Sequence, residues 1–244
     1  MTDVQLQVRG LSKSYGTITA LEGLDLDIRR GEVIGLIGDN GAGKSTFIKI
    51  LSGVHRPTSG TIHLEGRPAT IRTPRDAMLL GIETIYQYTA MIPEMSIMRN
   101  VFIGRELLRW GRRGFGILDR KAMHAQSMAA IADLGLHIRD PEAKVKELSG
   151  GHQQGVAIAR AIHFKSKIMI FDEPTNHLSV KETNKVLDYV KQLRDQGKTC
   201  IFISHNLYHV HEVSDRVVAM ARGRKVADVP RSEVDVIEMT RMIT

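Results

Sequence analysis

Strict alternation of apolar and polar residues marks two strands near the start of the chain, Val4-Gln5-Leu6-Gln7-Val8 and Leu24-Asp25-Leu26-Asp27-Ile28, punctuated by Gly16 and Gly31. The pattern then changes. Glu32 to Ile37 is an apolar run ending at Gly38, the signature of a parallel-sheet strand buried on both faces. From Lys44 to Leu51 the period becomes helical, with Phe47, Ile48, Ile50 and Leu51 apolar. Pro57-Thr58-Ser59-Gly60 predicts a turn, and Thr61 to Leu64 a further strand.

Between Ile97 and Leu136 the spacing is helical (Met123, Met128, Ile131, Leu134), with little strand signal and a loop at Gly111 to Gly116. Strands return at Ile168–Phe171 and Thr199–Ile203. Val186, Val190 and Leu193 mark a helix between them, and the three together predict a βαβ unit with a parallel sheet. Asp215 to Ala221 adds a strand, and Glu233 to Met242 a short amphipathic helix. The pattern as a whole predicts an α/β core with a helical insertion. It holds no internal repeat and no low-complexity segment.

The chain has 244 residues, 42% of them apolar and 25% charged, which suits a folded protein with a real core. Its single cysteine, Cys200, lies in the apolar run Cys200-Ile201-Phe202-Ile203. That excludes an internal disulfide framework, fits a reducing compartment and predicts a buried, inert thiol. No charged segment followed by an apolar stretch begins the chain, and no run approaches a membrane span, so a soluble, cytosolic chain is expected. The net charge is +7, with a basic cluster at Arg105, Arg109, Arg112, Arg113, Arg120 and Lys121. Only Trp110 and Phe115 interleave it as aromatics, so a solvated face is expected rather than a nucleic-acid groove. The positive charge also suits a position near an anionic inner leaflet.

Chemistry enters at Gly38-Asp39-Asn40-Gly41-Ala42-Gly43-Lys44-Ser45, which fits G-x-x-x-x-G-K-[ST] between a predicted buried strand and a predicted helix. Glycines let the backbone curl so that successive amides point inward. The helix N-terminus adds partial positive charge, and Lys44 a full one for β- and γ-phosphates. The Ser45 hydroxyl is placed to ligate Mg²⁺. Asp172 ends the apolar strand Ile168-Met169-Ile170-Phe171, where open α/β sheets bind ligands, and is expected to hold the metal. Glu173 beside it is the expected general base for an attacking water. By themselves, two adjacent acids could simply end a strand in solvent; the phosphate loop is what gives them meaning. His205 ends the next strand and is a candidate hydrogen-bond partner for a γ-phosphate oxygen or the water.

Leu148-Ser149-Gly150-Gly151-His152-Gln153-Gln154, followed by Val156-Ala157-Ile158-Ala159-Arg160-Ala161, resembles the signature motif of ABC ATPases. Together with the phosphate loop and Phe171-Asp172-Glu173-Pro174, it resembles that family over the whole chain. The resemblance implies one ATPase domain over residues 4–241: a P-loop NTPase (RecA-like) core with a mostly parallel sheet, an N-terminal antiparallel β subdomain and an inserted α-helical subdomain over about 90–165. It implies Tyr15 as the aromatic that stacks on adenine. It also implies Gln87 as the glutamine that reaches metal and water and senses the permease, and His205 as the switch histidine. Thr46 extends the phosphate-contacting set, and Ser149, Gly150 and Gly151 would meet nucleotide across a dimer.

In that family each ATP lies between one domain's phosphate loop and the other's signature. A homodimer, or a pair with a related subunit, is therefore implied, with ATP and Mg²⁺ as ligands and a membrane permease as the driven partner. Thr73-Pro74-Arg75-Asp76-Ala77, Leu80-Gly81-Ile82, Gly116-Ile117-Leu118-Asp119 and Lys44 to Gly53 look like the carbohydrate-uptake class, of the ribose, xylose and fructose kind. That class implies a periplasmic sugar-binding protein as an indirect partner, and a place at the inner face of the membrane through the permease.

Three positions depart from the family pattern: His152, Gly155, and Ser179 where an aspartate is common. Asn176-His177-Leu178 also occurs in soluble, translation-associated ABC proteins, which makes a ribosome- or RNA-directed ATPase the rival reading. That rival calls for two ATPase domains and a long charged linker. A DNA-repair ATPase calls for a long coiled coil, yet only 104 positions separate Lys44 from Leu148, without sustained heptads. Tyr88, Met91, Ile92, Met95 and Met98 would either line a permease groove or form core of the insertion.

Overall fold

The computed structural model describes residues 3–86, 91–112, 115–136, 138–164, 166–176 and 178–243. The chain divides into two compact units. The first comprises residues 1–87, 166–176 and 190–244, the second 88–165 and 177–189.

In the first unit, β1 (Val4–Tyr15) and β2 (Ile18–Arg29) form an antiparallel pair twice as long as the alternating cores of the sequence suggest. Their lengthening is local: Leu11 and Leu21 are fully buried, so the apolar face continues through the bulges that break the strict alternation. With β4 (Ser59–Leu64) and the two-residue β5 (Arg67–Pro68) they make a sheet of order β2-β1-β4-β5. The second sheet uses β3 (Val33–Ile37), β6 (Ile82–Ile85), β9 (Ile168–Asp172), β10 (Thr199–Ile203), β11 (Arg216–Ala221) and β12 (Arg224–Pro230). Its order is β12-β11-β3-β10-β9-β6, parallel throughout except for the β11–β12 hairpin at one edge. Every residue of β3 and β10 is buried, as a doubly covered parallel strand requires. Helix α1 (Lys44–Leu51) follows β3, as its period predicts, and buries Phe47, Ile48, Ile50 and Leu51 in a core shared with Leu6, Leu11, Ile34, Ile170, Ile201 and Val218. Cys200 is fully buried in β10, and burial pushes its thiol up to about 12, so it is inert.

Two short helices of this unit have local causes. Helix α2 (Pro74–Leu79) starts with a capping box between Thr73 and Asp76 and has proline in its first turn. Helix α7 (Leu207–Val213) is capped by Asn206. The closing helix α8 spans Val236–Ile243, starting three residues later than the amphipathic pattern suggests.

The second unit holds α3 (Ile97–Phe102), α4 (Arg120–Ala132), α5 (Gly150–His163) and the start of α6 (Val180–Asp195), whose residues from Val190 on belong to the first unit. The segment read as helix and loop contains an antiparallel hairpin instead, β7 (Leu108–Arg112) with β8 (Phe115–Leu118). Its strands pair Trp110 with Ile117, both exposed, so no buried alternating face announces it. The buried Asn100 anchors the preceding loop: its amide donates to the carbonyls of Ile92, Met95 and Ser96 and accepts from the Ile92 N–H. Met91 and Met98 are core and Ile92 is exposed; Tyr88 lies outside the described residues. Among the described residues no helix is long and apolar enough to cross a membrane.

Candidate nucleotide site

The turn from β3 to α1 is shaped by positions that exclude a side chain. Gly43 caps α1 at φ 101°, and a Cβ there would stand 2.8 Å from the Ala20 carbonyl oxygen. A Cβ on Gly41 would meet nothing within 4 Å, so that glycine faces open space. No side chain caps α1, and its first turn carries no acid. Its N-terminal amides are therefore left for an outside acceptor.

That acceptor would enter a cavity of about 400 Å³, lined by Asp39 to Thr46 together with Ile18, Thr19, Ala20, Asp172, Glu173, Ile203 and His205. Fold topology accounts for the meeting. Strands β3, β10 and β9 are adjacent and parallel, so the residues just past their C-terminal ends converge on one edge of the sheet.

Lys44 is buried, and its ammonium donates to the carbonyls of Gly38 and, at 3.0 Å, Asp39. Burial lowers its pKa, against the pull of Glu173, Asp39 and Asp172. Burial likewise raises the pKa of Asp172, opposed by Lys44, Lys49 and His205. Glu173 is 6% exposed and sits at φ 51°, a left-handed conformation that a glutamate rarely adopts. Its N–H donates to the Ile203 carbonyl, and its Oε2 accepts the His205 main-chain N–H at 3.1 Å. Oε1 is buried without a hydrogen bond and lies 3.2 Å from His205 Nε2. Burial raises the Glu173 pKa as well, with Asp172 adding to the rise and the His205 amide opposing it.

The cavity thus unites Gly38's neighbours in the loop, Asp39, Asn40, Gly41, Ala42, Gly43, Lys44, Ser45 and Thr46, with Asp172, Glu173 and His205. Tyr15 is not part of its lining; it ends β1 41% exposed, edge-on to His55 and beneath the Lys13 ammonium. Ile18, Thr19 and Ala20 of the same hairpin line the cavity instead, and no chemical pattern in the sequence marks them. Gln87 lies outside the described residues. Ser149, Gly150 and Gly151 belong to the second unit, where Ser149 caps α5 without a side-chain bond to the helix backbone. Its hydroxyl instead meets His152 Nδ1 at 3.1 Å.

The departures from the family pattern acquire physical reasons. His152 partners Ser149. A Cβ on Gly155 would stand 2.5 Å from Leu136 Cδ1, so a side chain there would have to push the leucine end aside. Ser179 makes a capping box with Glu182, the glutamate accepting the Ser179 N–H at 3.1 Å while its own N–H meets the serine hydroxyl.

Fold and site together define a P-loop nucleotide-binding protein, with a phosphate loop and an acidic pair at one sheet edge. The profile of the ABC transporter family matches residues 21–176, and the chain belongs to that family. It is 42% identical over 244 residues to the xylose/arabinose import ATP-binding protein XylG of Sulfolobus acidocaldarius, covering 100% of this chain and 95% of that one. It is 47% identical over 224 residues to the fructose import ATP-binding protein FrcA of Rhizobium meliloti, covering 91% and 86%. The fold superposes with a TM-score of 0.84 on a nucleotide-free ATP-binding cassette from an ABC transporter, 25% identical, covering 97% of this chain and 98% of that one.

Proposed function

We propose that the chain is the ATP-hydrolysing subunit of an importer that carries a sugar through a separate membrane permease. The observation that carries this reading is the single cavity in which the amides of α1, Lys44 and the carboxylates of Asp172 and Glu173 converge. The sugar rests on relatives named for import of xylose, arabinose and fructose.

In this reading the amides from Gly41 to Ser45 take the phosphate oxygens, and the Lys44 ammonium trades its carbonyl partners for the β- and γ-phosphates. Glu173 orients a water in line with the γ-phosphorus and accepts its proton; a carboxylate whose proton affinity is raised by burial suits that task. His205, tethered to Glu173 through its main chain, hydrogen-bonds the γ-phosphate or that water. Ser45 and Asp172 offer hard oxygen donors suited to Mg²⁺. The described residues hold no cluster of three or more His, Cys, Asp or Glu able to bind a metal, so the cation would need the nucleotide's own oxygens. When bound, it would neutralise charge on the β- and γ-phosphates.

Tyr15 would stack on adenine, and Ser149, Gly150 and Gly151 would meet the γ-phosphate of nucleotide held by a second copy or a related subunit. The chain would then sit at the cytoplasmic face of the membrane on its permease, a periplasmic sugar-binding protein acting indirectly, with Gln87 as the sensing residue. The test is affinity capture of the chain from cell membranes and from ribosomes, coupled to sugar uptake in cells lacking it. Permease co-purification and lost uptake are expected; capture with ribosomes and unchanged uptake would overturn the reading.

A further inference from the structure

The turn that opens α5 already carries an anion. Glu182 Oε1 accepts the Gly151 N–H at 3.2 Å, and Oε2 accepts the Ser179 N–H at 3.1 Å and the Ser179 hydroxyl at 2.9 Å. The glycines fit this arrangement. A Cβ on Gly151 would stand 2.9 Å from Glu182 Cβ, and one on Gly150 would stand 2.7 Å from Leu178 Cδ2. The missing side chain at 151 therefore admits Glu182 of α6. With the Gly151 amide and the Ser179 amide and hydroxyl donating to it, the Glu182 carboxyl is held down at about 2 and stays charged across the physiological range.

We propose that Glu182 is a residue of the nucleotide site: an internal carboxylate that occupies the Gly151 amide in the single copy and competes for it with the incoming γ-phosphate. This rests on the reading that the signature turn meets ATP held by a second copy. The two anions share the Gly151 amide, and like charges at one helix N-terminus repel. The phosphate must displace the carboxylate from Gly151, while Ser179 keeps Glu182 tethered to α6 as its cap. Glu182 thereby sets the ATP concentration at which two copies close.

The test measures ATP-dependent dimerisation by sedimentation, in the Glu173→Gln background that blocks turnover. Added Glu182→Gln keeps the shape and removes the charge. It is expected to lower the ATP concentration at half-dimerisation by about fivefold or more, the scale of a typical coupling between sites, with nucleotide affinity of the single copy unchanged. Ser179→Ala, which weakens the cap but keeps the carboxylate, is expected to produce no such lowering. An unmoved or raised midpoint in Glu182→Gln, or an equal lowering in Ser179→Ala, overturns the competition. If Glu173→Gln alone forms no ATP-dependent dimer, the parent reading fails instead.

Discussion

The main-chain N–H of His205 donates to Glu173 Oε2 at 3.1 Å, joining residues that stand just past the ends of the neighbouring parallel strands β10 and β9. The bond comes from the backbone, so it holds the carboxylate whatever side chain occupies position 205. The imidazole, whose Nε2 lies 3.2 Å from Glu173 Oε1, is placed at the same cavity to act on substrate. His205→Ala should therefore leave ATP affinity nearly unchanged while lowering kcat by about 10²-fold or more, as loss of a positioned proton-handling group does. Steady-state kinetics with a nucleotide titration checks both halves.

Lys44 is buried, and among the described residues its ammonium donates hydrogen bonds to the carbonyls of Gly38 and Asp39, groups that bear no full charge. Lys44→Ala removes a charge-assisted contact to phosphate worth about 1.5–3 kcal/mol. Nucleotide affinity measured by calorimetry should fall by roughly 10- to 100-fold.

Glu173 has its folded pKa raised by burial. A raised carboxyl contributes stability that is full below its unfolded pKa and lost as pH rises through the folded one. In nucleotide-free protein, Glu173→Gln should melt at a higher temperature than the parent in neutral buffer. The gap should close as pH falls below the carboxyl's unfolded value. Thermal melts across pH read this directly.

Gly155 faces the end of the Leu136 side chain, which an added methyl group would displace. Gly155→Ala should change the stability of the second unit by less than about 1 kcal/mol, because the shift of the leucine end is offset by the helix propensity of alanine inside α5. Denaturant unfolding followed by a probe in that unit measures it.

The phosphate loop, its flanking strand and α1 were legible because they are contiguous in sequence, with one period giving way to another at Gly38. The acids at 172 and 173 were legible for the same reason, as the polar end of a fully apolar strand. Other elements leave little trace. Strand β6 is four residues long, and α7 is a seven-residue helix set by its Asn206 cap. The β7–β8 hairpin exposes Trp110 and Ile117 and so lacks a one-sided apolar pattern. Glu182 escaped notice because its bond to Gly151 spans 31 residues, although Ser179-Val180-Lys181-Glu182 has the spacing of a capping box. Gly155 likewise shows its approach to Leu136 only in the fold.

The central claim is that the triphosphate lies on the amides before Ser45, with Glu173 poised opposite. Calorimetric ATP binding paired with ATP turnover, on one preparation of Glu173→Gln, tests it most directly. The expected result is affinity within about threefold of the parent with turnover reduced by at least about 10²-fold. Hydrolysis at the parental rate would contradict it.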